Sequence, residues 1–349
     1  MLKTIDKNNS FTPLLKNKDY SLSMIRLIST LLIVSCHFLQ FYGNKLAFIF
    51  NIGVQFFLII SGLLYGLKSD EITIEKTWKN IKKILLDYLI FIVIAIVLHF
   101  LFLDTKYTLR QLLPVFFCMR LLPGLEHLWY IPTILLCYII APFLSLYKKK
   151  VEETKFKYLW KLLFLFIFIF VVYYNFPGFS IGWISCFVIS FLFSKDIKNI
   201  RKSILYLGLP LIIISCFLQY LKFFTTINDY FIFSANQIYE YIRILGALSL
   251  FMIIYYIFSF INFSPISKIL NISDKYSYDL YLCHQIFILG PLSLLTPTPK
   301  LSNLFLTILS IVALTFILIC IKQIILLLIK KLNNYVLNRK SNLDTNTVD

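Results

Sequence analysis

The sequence predicts an all-α integral membrane protein with about ten transmembrane helices in one bundle. The chain has 349 residues, 59% of them hydrophobic and 17% aromatic, and its mean hydropathy is +0.80. Apolar runs of about 20 residues recur along it, and each is long enough to cross a bilayer as a helix. Lysine and arginine are concentrated between these runs, where orientation signals belong. These three observations indicate a membrane protein before any motif is considered.

Ten apolar segments make up the predicted helices. They cover approximately residues 22–41, 47–67, 84–103, 127–146, 159–174, 180–194, 204–221, 243–262, 277–295 and 304–329. We expect a cytoplasmic N-terminal segment over 1–21, one membrane domain over 22–331, and a polar cytoplasmic tail over 332–349.

The distribution of positive charge predicts the orientation of these segments. If the N-terminus is cytoplasmic, the outer side holds only seven of the 34 lysines and arginines: Lys45, Lys106, Arg110, Arg120, Lys222, Arg243 and Lys300. Such asymmetry follows the positive-inside rule, and a missed or added helix would destroy it. Both termini are therefore expected in the cytoplasm.

Charge and cysteine content exclude several classes of protein. A net charge of +17 would suggest nucleic-acid binding in a soluble domain, but here it lies between apolar runs, so we expect a lipid bilayer and no nucleic acid. The seven cysteines show no CxxC spacing, which argues against a disulfide framework and a zinc ribbon. In Cys36-His37 and Cys283-His284 the adjacent side chains would point about 100° apart on a helix, which suits one ion poorly. We expect no metal and no bound cofactor.

The first predicted helix carries two ionisable residues in phase. Arg26 and His37 are eleven residues apart, close to three helical turns, so they share one face about 16 Å apart along the axis. Ionisable groups within a membrane are costly and mark candidate functional sites. The structural alternatives are a snorkelling arginine and a histidine bonded to a neighbouring helix. The shared phase favours a site in which Arg26 holds an anion and His37 acts on its reactive end.

The second predicted helix has a polar and small-residue face. Gln55 and Gly62 are seven residues apart on that face, and Ser61 is adjacent. Such spacing is typical of a seam for close helix packing, and substrate contact by Gln55 and Ser61 is the functional alternative.

The ninth predicted helix has a polar stripe. Ser277, Tyr281 and His284 fall at i, i+4 and i+7, a pattern that a wholly lipid-facing helix would not carry. Asp279 is about 140° away from His284 around the helix. Because Asp279 also lies one turn after Lys275, we expect these two to form an ion pair.

The start of the fourth predicted helix combines aromatic and titratable residues. Glu126, His127, Trp129 and Tyr130 lie together at its outer end. Tryptophan and tyrosine are common anchors at a membrane interface. The alternative is an acceptor site, since aromatic faces suit sugar rings and Glu126 or His127 can move a proton.

Taken in order, these motifs resemble the signatures of the membrane-bound acyltransferase 3 family. The resemblance rests on Arg26-x10-His37, the run from Gly53 to Leu64, the HLWY of His127 to Tyr130, and the YSYDLYLCH from Tyr276 to His284. It spans about residues 20 to 330, and the ten-helix topology agrees with it. Two positions depart from the family pattern: Gln55 stands where an acidic residue is frequent, and Lys83 to Leu86 replaces a basic-x-x-Pro pattern.

The resemblance implies an O-acyltransferase that moves an acyl group, usually acetyl from cytoplasmic acetyl-CoA, to a hydroxyl of an envelope or capsular polysaccharide. Arg26 would bind the donor or orient the site, and His37 would act as base or transient acyl carrier. Some family members carry a fused extracytoplasmic domain that finishes the transfer. We expect no such domain here, so this chain would complete the transfer itself or pass the acyl group to a partner, such as a glycan-synthesis protein. The Lys-, Asn-, Ile- and Phe-rich composition favours an AT-rich bacterial genome. For a bacterial enzyme that acts on envelope glycans, the resemblance implies a multi-pass protein of the plasma membrane.

Two other functions are compatible with the sequence. A polysaccharide transporter or flippase would also need many helices with polar residues inside them, but the inverted repeats common in transporters are not visible in the sequence. A non-catalytic subunit of an envelope-synthesis complex is the third interpretation, because several candidate residues have structural alternatives.

Overall fold

The protein is described by a computed structural model over residues 18–68, 71–175, 181–224 and 235–345. In these ranges the regular structure is helical, which confirms the predicted all-α class. The α-helices are α1 (Tyr20–Phe41), α2 (Ala47–Phe50), α3 (Ile52–Gly66), α4 (Ile74–Leu103), α5 (Leu109–Phe116), α6 (Tyr130–Glu152), α7 (Lys157–Asn175), α8 (Ile181–Leu192), α9 (Ser194–Lys198), α10 (Ser203–Phe224), α11 (Ala235–Phe258), α12 (Ser267–Ile288) and α13 (Leu301–Thr345). Short 3-10 helices cover Glu126–Trp129 and Ser264–Ile266. Most of the predicted segment 1–21 and the end of the predicted tail lie outside the described residues.

Several helices have the length and composition of membrane spans. Within the described residues, six qualify: Tyr20–Phe41, Ala47–Gly66, Ile74–Leu103, Glu126–Glu152, Ser203–Leu221 and Leu301–Leu332. Two shorter apolar helices cover Trp183–Leu192 and Ile242–Phe258. Large apolar side chains also point outward, among them Phe102, Phe166 and Phe316, which suits lipid rather than water. The chain is a multi-pass membrane protein.

Local sequence signals set several helix ends. Asp19 caps α1 by accepting from the backbone N–H groups of Ser21 and Leu22, and Thr73 caps α4 in the same way. Asp104 ends α4 with a positive φ of 48°, a conformation that aspartate tolerates better than most residues. The helix α4 begins at Ile74, before the predicted start at 84, because the intervening lysines and glutamate are good helix formers.

Contacts between helix ends show how the helices alternate in direction. Lys148, near the end of α6, donates to the carbonyl of Gly66 at the end of α3 and to Ser194 at the start of α9. Lys198, at the other end of this short helix, donates to Asp19 just before α1. The start of α1 therefore lies at the same end of the bundle as the C-terminal ends of α3, α6 and α8. We call this the lysine-rich end.

Close packing of α3 against α8 depends on two glycines. A Cβ atom added to Gly62 would lie 2.2 Å from the carbonyl oxygen of Phe187, and one added to Gly66 would lie 2.3 Å from that of Phe191. Neither distance leaves room for a methyl group. The predicted small-residue seam is confirmed at Gly62.

A buried charge cluster ties α13 to α4 and α12. The Nζ atom of Lys322 lies 2.9 Å from Asp87 Oδ2 and 3.0 Å from Asp279 Oδ1, and both carboxylates are almost fully buried. The expected pair between Asp279 and Lys275 was wrong, because Asp279 faces the core while Lys275 is exposed and lies over the ring of Tyr276. A buried carboxylate needs a partner in the core, and Lys322 supplies it.

Replacing Lys322 by Met should lower the free energy of unfolding by about 3–5 kcal/mol, because it leaves two buried carboxylates without a counter-charge. Thermal unfolding in detergent micelles measures the effect. Lys331→Met, on the exposed surface of the same helix, is the control and should change stability by less than about 0.5 kcal/mol. Equal, small losses in both variants would show that the cluster has no stabilising role.

The pairing of Asp19 should make stability depend on pH. Burial raises the pKa of the Asp19 carboxyl, but hydrogen bonds from Lys198 and Tyr255 outweigh burial and hold the pKa below its ordinary value of 3.8. A lowered folded-state pKa contributes stability above the ordinary pKa, and this contribution is lost as the pH falls through the folded-state pKa. Asp19→Asn, which keeps a capping oxygen, should be less stable than wild type at neutral pH, and the difference should shrink below about pH 4. A difference that stays constant across this range in unfolding measurements would contradict the expectation.

Candidate functional site

Three of the four histidines in the chain meet between α1, α12 and the 3-10 helix Glu126–Trp129. The ring centroid of His284 lies 5.0 Å from that of His37 and 4.9 Å from that of His127, and the His37 and His127 centroids are 6.5 Å apart. His127 and His284 are buried, whereas His37 is half-buried. We call these three residues the histidine cluster. The sequence singles out each of them but does not indicate that they meet.

Backbone carbonyls of α12 fix two of the three imidazoles. His284 Nδ1 lies 2.6 Å from the carbonyl oxygen of Tyr281, and His127 Nε2 lies 3.1 Å from that of Leu282. Because a carbonyl oxygen only accepts, these nitrogens carry the protons, and the neutral rings keep their lone pairs on the other nitrogens. Those nitrogens, Nδ1 of His127 and Nε2 of His284, are buried and have no hydrogen-bond partner among the described residues.

The third imidazole is oriented by its own helix. His37 Nδ1 lies 2.7 Å from Oε1 of Gln40, one turn further along α1. With this oxygen as acceptor, His37 donates from Nδ1 and keeps its lone pair on Nε2. All three rings are thus held at one nitrogen, and the other nitrogen is available to take a proton or to bond to a reacting group.

The 3-10 helix is held against α12 by a network of polar contacts. The hydroxyl of Tyr281 donates to the backbone carbonyl of His127. Gln285 accepts from the backbone N–H of His127 at 3.2 Å and donates to Glu126 at 3.1 Å. Glu126 also accepts from the backbone N–H of Gly124. The position of His127 therefore depends on α12, and Gln285 is a site residue that the sequence pattern did not reveal.

A cavity of about 360 Å³, the Arg26 cavity, lies on the lysine-rich side of the cluster. It lies between α1, α3, α4, α6 and α12. Its polar lining comprises Arg26, Ser61, Asn80, Lys83, Asp87, Asp274 and Ser277, with the tyrosines Tyr130, Tyr138, Tyr278 and Tyr281. The two carboxylates of this lining are already paired, Asp87 with Lys322 and Asp274 with Arg26. The remaining N–H donors of Arg26, the ammonium of Lys83 and the hydroxyl groups suit an anionic, hydrogen-bonding ligand.

An ion pair holds Arg26 at one side of this cavity. Arg26 Nη1 lies 2.5 Å from Asp274 Oδ1. The other oxygen of Asp274 accepts from Ser23 at 2.6 Å and lies 2.5 Å from Lys18 Nζ. Asp274 thus joins the start of α1 to α12. A guanidinium has five N–H donors, so one bond to Asp274 leaves Arg26 able to bind a further anion.

A second, smaller cavity of about 30 Å³, the His37 chamber, adjoins the histidine cluster. It is lined by Ile33, Cys36, His37, Asn51, Val54, His127, Trp129 and Tyr281. Three of these residues, Ile33, Val54 and Tyr281, also line the Arg26 cavity. The shared face of α1 that carries Arg26 and His37 therefore opens into two adjacent cavities rather than one.

Most of the predicted site residues lie at these cavities. Those in the Arg26 cavity are Arg26, Ser61, Tyr130 and Ser277; those in the His37 chamber are His37, His127 and Trp129; Tyr281 lines both, and His284 packs against the histidine rings.

Two predicted site residues line neither cavity. Gln55 is buried, with Oε1 unpartnered among the described residues, and Glu126 is exposed and bonded to Gln285. Substrate contact by these two side chains stays a prediction. Across the described ranges, no three His, Cys, Asp or Glu side chains form a group that would hold a metal ion.

Comparison with known proteins identifies the family. A model of the acyltransferase 3 family, described as an acyltransferase domain, matches residues 19–325. The match contains the histidine cluster and every residue that lines the two cavities. No curated protein and no solved structure matches the chain. The family match covers most of the chain and agrees with the predicted resemblance: the chain belongs to the acyltransferase 3 family and is a membrane acyltransferase.

Proposed function

We propose that this acyltransferase moves an acetyl or similar short acyl group from an acyl-CoA thioester to a hydroxyl of a cell-surface polysaccharide or its precursor. The observation that carries the proposal is the histidine cluster, with available ring nitrogens, beside the Arg26 cavity. An imidazole lone pair can take the proton of a hydroxyl or attack a thioester. Either reaction transfers an acyl group to an alcohol.

The Arg26 cavity is the proposed donor site. Acyl-CoA carries phosphates at one end and the thioester at the other. Arg26 and Lys83 line the cavity, and charge-assisted hydrogen bonds from such cations to phosphate are among the strongest available. A donor held there by its phosphates would direct its thioester along α1 toward His37.

His37 is the proposed catalytic residue. In the covalent route, Nε2 attacks the thioester carbon, the carbon–sulfur bond breaks, and the thiolate departs. The acceptor oxygen then attacks the acyl-imidazole, the carbon–nitrogen bond breaks, and the hydroxyl proton passes to the thiolate. In the direct route, His37 removes the hydroxyl proton as the oxygen attacks the thioester, the carbon–sulfur bond breaks, and the imidazolium gives this proton to the departing thiolate. The hydroxyl of Tyr281 is already bonded to the His127 carbonyl, so we assign Tyr281 a positioning role. Ser277 and Trp129 remain candidates for carbonyl and acceptor contacts.

We further propose ten transmembrane helices, with both termini in the cytoplasm of a bacterial cell. Each of the ten predicted spans overlaps a helix of the bundle. The start of α1 and the ends of α3, α6 and α8 share the lysine-rich end, which the positive-inside rule assigns to the cytoplasm. Acyl-CoA, a cytoplasmic metabolite, would then reach Arg26 from inside, and the glycan acceptor would approach His37 from outside.

Replacing His37 by Gln should lower acyl transfer by at least about 100-fold, because glutamine has no basic or nucleophilic nitrogen. The measurement is incorporation of label from radioactive acetyl-CoA into envelope polysaccharide, with membranes that contain equal amounts of each variant. His99→Gln is the matched control, since His99 lies outside the cluster and bonds Tyr107. Undiminished labelling by His37→Gln would remove His37 from the mechanism.

Replacing Arg26 by Gln should raise the KM for acyl-CoA by about 10- to 100-fold, because a hydrogen bond to a charged group is lost. A role in ground-state binding leaves kcat nearly unchanged. Initial rates over a range of acetyl-CoA concentrations separate the two constants. The control is Arg120→Gln, at an exposed position outside both cavities. A lowered kcat at unchanged KM would place Arg26 in the chemical step instead.

A further inference from the structure

Three buried side chains separate the Arg26 cavity from the His37 chamber. Ile33 of α1, Val54 of α3 and Tyr281 of α12 line both spaces and are 4%, 6% and 6% exposed. We call them the dividing wall. A donor that lies in the Arg26 cavity and reacts at His37 must bring its acyl group past this wall.

The tyrosine in the dividing wall is fixed by hydrogen bonds at both ends. The Tyr281 hydroxyl donates to the carbonyl of His127, and its own backbone carbonyl accepts from His284. Its ring also packs against Tyr130, with centroids 5.3 Å apart. Moving Tyr281 would disturb two members of the histidine cluster, so its ring forms a rigid side of the wall.

The two aliphatic members of the wall are also rigid. Ile33 and Val54 are β-branched, and such side chains have one strongly preferred rotamer on a helix. The helices that carry them approach closely, since a Cβ atom added to Gly53 would lie 2.5 Å from the Ser29 carbonyl and 2.9 Å from Cγ1 of Ile33. The space left for an acyl group between the Arg26 cavity and the His37 chamber is therefore set by the branches of Ile33 and Val54.

The space beyond the wall is small. The His37 chamber has a volume of about 30 Å³, against about 360 Å³ for the Arg26 cavity. The chamber thus has less than a tenth of the volume of the cavity that precedes it. An acetyl group brings only a methyl group and a carbonyl oxygen into this space. A butanoyl group brings two more methylenes against the same packed side chains.

From this geometry we propose that the dividing wall selects a two-carbon acyl group, with Ile33 and Val54 as the specificity-determining residues. The inference rests on the proposed acyl transfer at His37. Shortening either one joins the chamber to the larger cavity and admits a longer chain.

The test compares two donors in the full-length protein. Label from radioactive acetyl-CoA and butanoyl-CoA is followed into envelope polysaccharide, and kcat/KM is measured for each donor. Wild type should prefer acetyl by at least about 100-fold, because each methylene that does not fit costs about 10- to 200-fold. Ile33→Ala and Val54→Ala should each raise the butanoyl-to-acetyl ratio by at least about 10-fold. Ile60→Ala removes the same atoms as Ile33→Ala from a buried position of α3 that lines neither cavity, and should leave the ratio unchanged.

A second variant tests the opposite direction. Val54→Ile adds a methyl group to the wall and should lower the butanoyl-to-acetyl ratio, even if the alanine variants fold poorly. An unchanged ratio in the Ile33 and Val54 variants, with acetyl transfer retained, would overturn the dividing wall as a filter and leave the proposed function standing. A wild type that labels polysaccharide from neither donor would overturn both.

Discussion

The need to pair every polar group inside the bilayer determines how this bundle is held together. No water is available there to solvate a charge, so each charge must find a partner on another helix. Lys322 meets Asp87 and Asp279, and Arg26 meets Asp274. These contacts join α1, α4, α12 and α13. Arg26 and Asp274 are 248 residues apart in sequence, and Asp87 and Lys322 are 235 residues apart. The same constraint makes an unpaired nitrogen in the interior informative.

The histidine cluster is one of the places where this pairing is incomplete among the described residues. His127 and His284 each donate to a backbone carbonyl, yet each keeps a buried nitrogen without a partner in the described part of the chain. An unsatisfied buried polar atom costs free energy and calls for an explanation. A reacting group bound beside His37 would supply one, since the His37 chamber adjoins the cluster and the Arg26 cavity lies just beyond the dividing wall.

Local periodicity was sufficient to predict the all-helical class and much of the candidate site, although it missed the short helix α5. The spacing of Arg26 and His37 put both at cavities along one face of α1, and the stripe of Ser277, Tyr281 and His284 faces the interior. Contacts between distant helices have no such local signal. Asp274 was therefore missed as the partner of Arg26, and Asp279 was assigned to the nearest lysine in sequence rather than to Lys322. The meeting of three histidines depends in addition on a 3-10 turn held by Gln285, a residue whose neighbours in sequence do not reveal that role.

A sealed proteoliposome with donor and acceptor on opposite sides tests the central claim most directly. Radioactive acetyl-CoA is enclosed in the lumen, and purified envelope polysaccharide is added outside only. If an acyl group passes along α1 from the Arg26 cavity to the histidine cluster, label should appear in the external polysaccharide and should require intact His37. Label that appears only when donor and acceptor share one side would contradict the account, because the two cavities would then not form a path across the membrane.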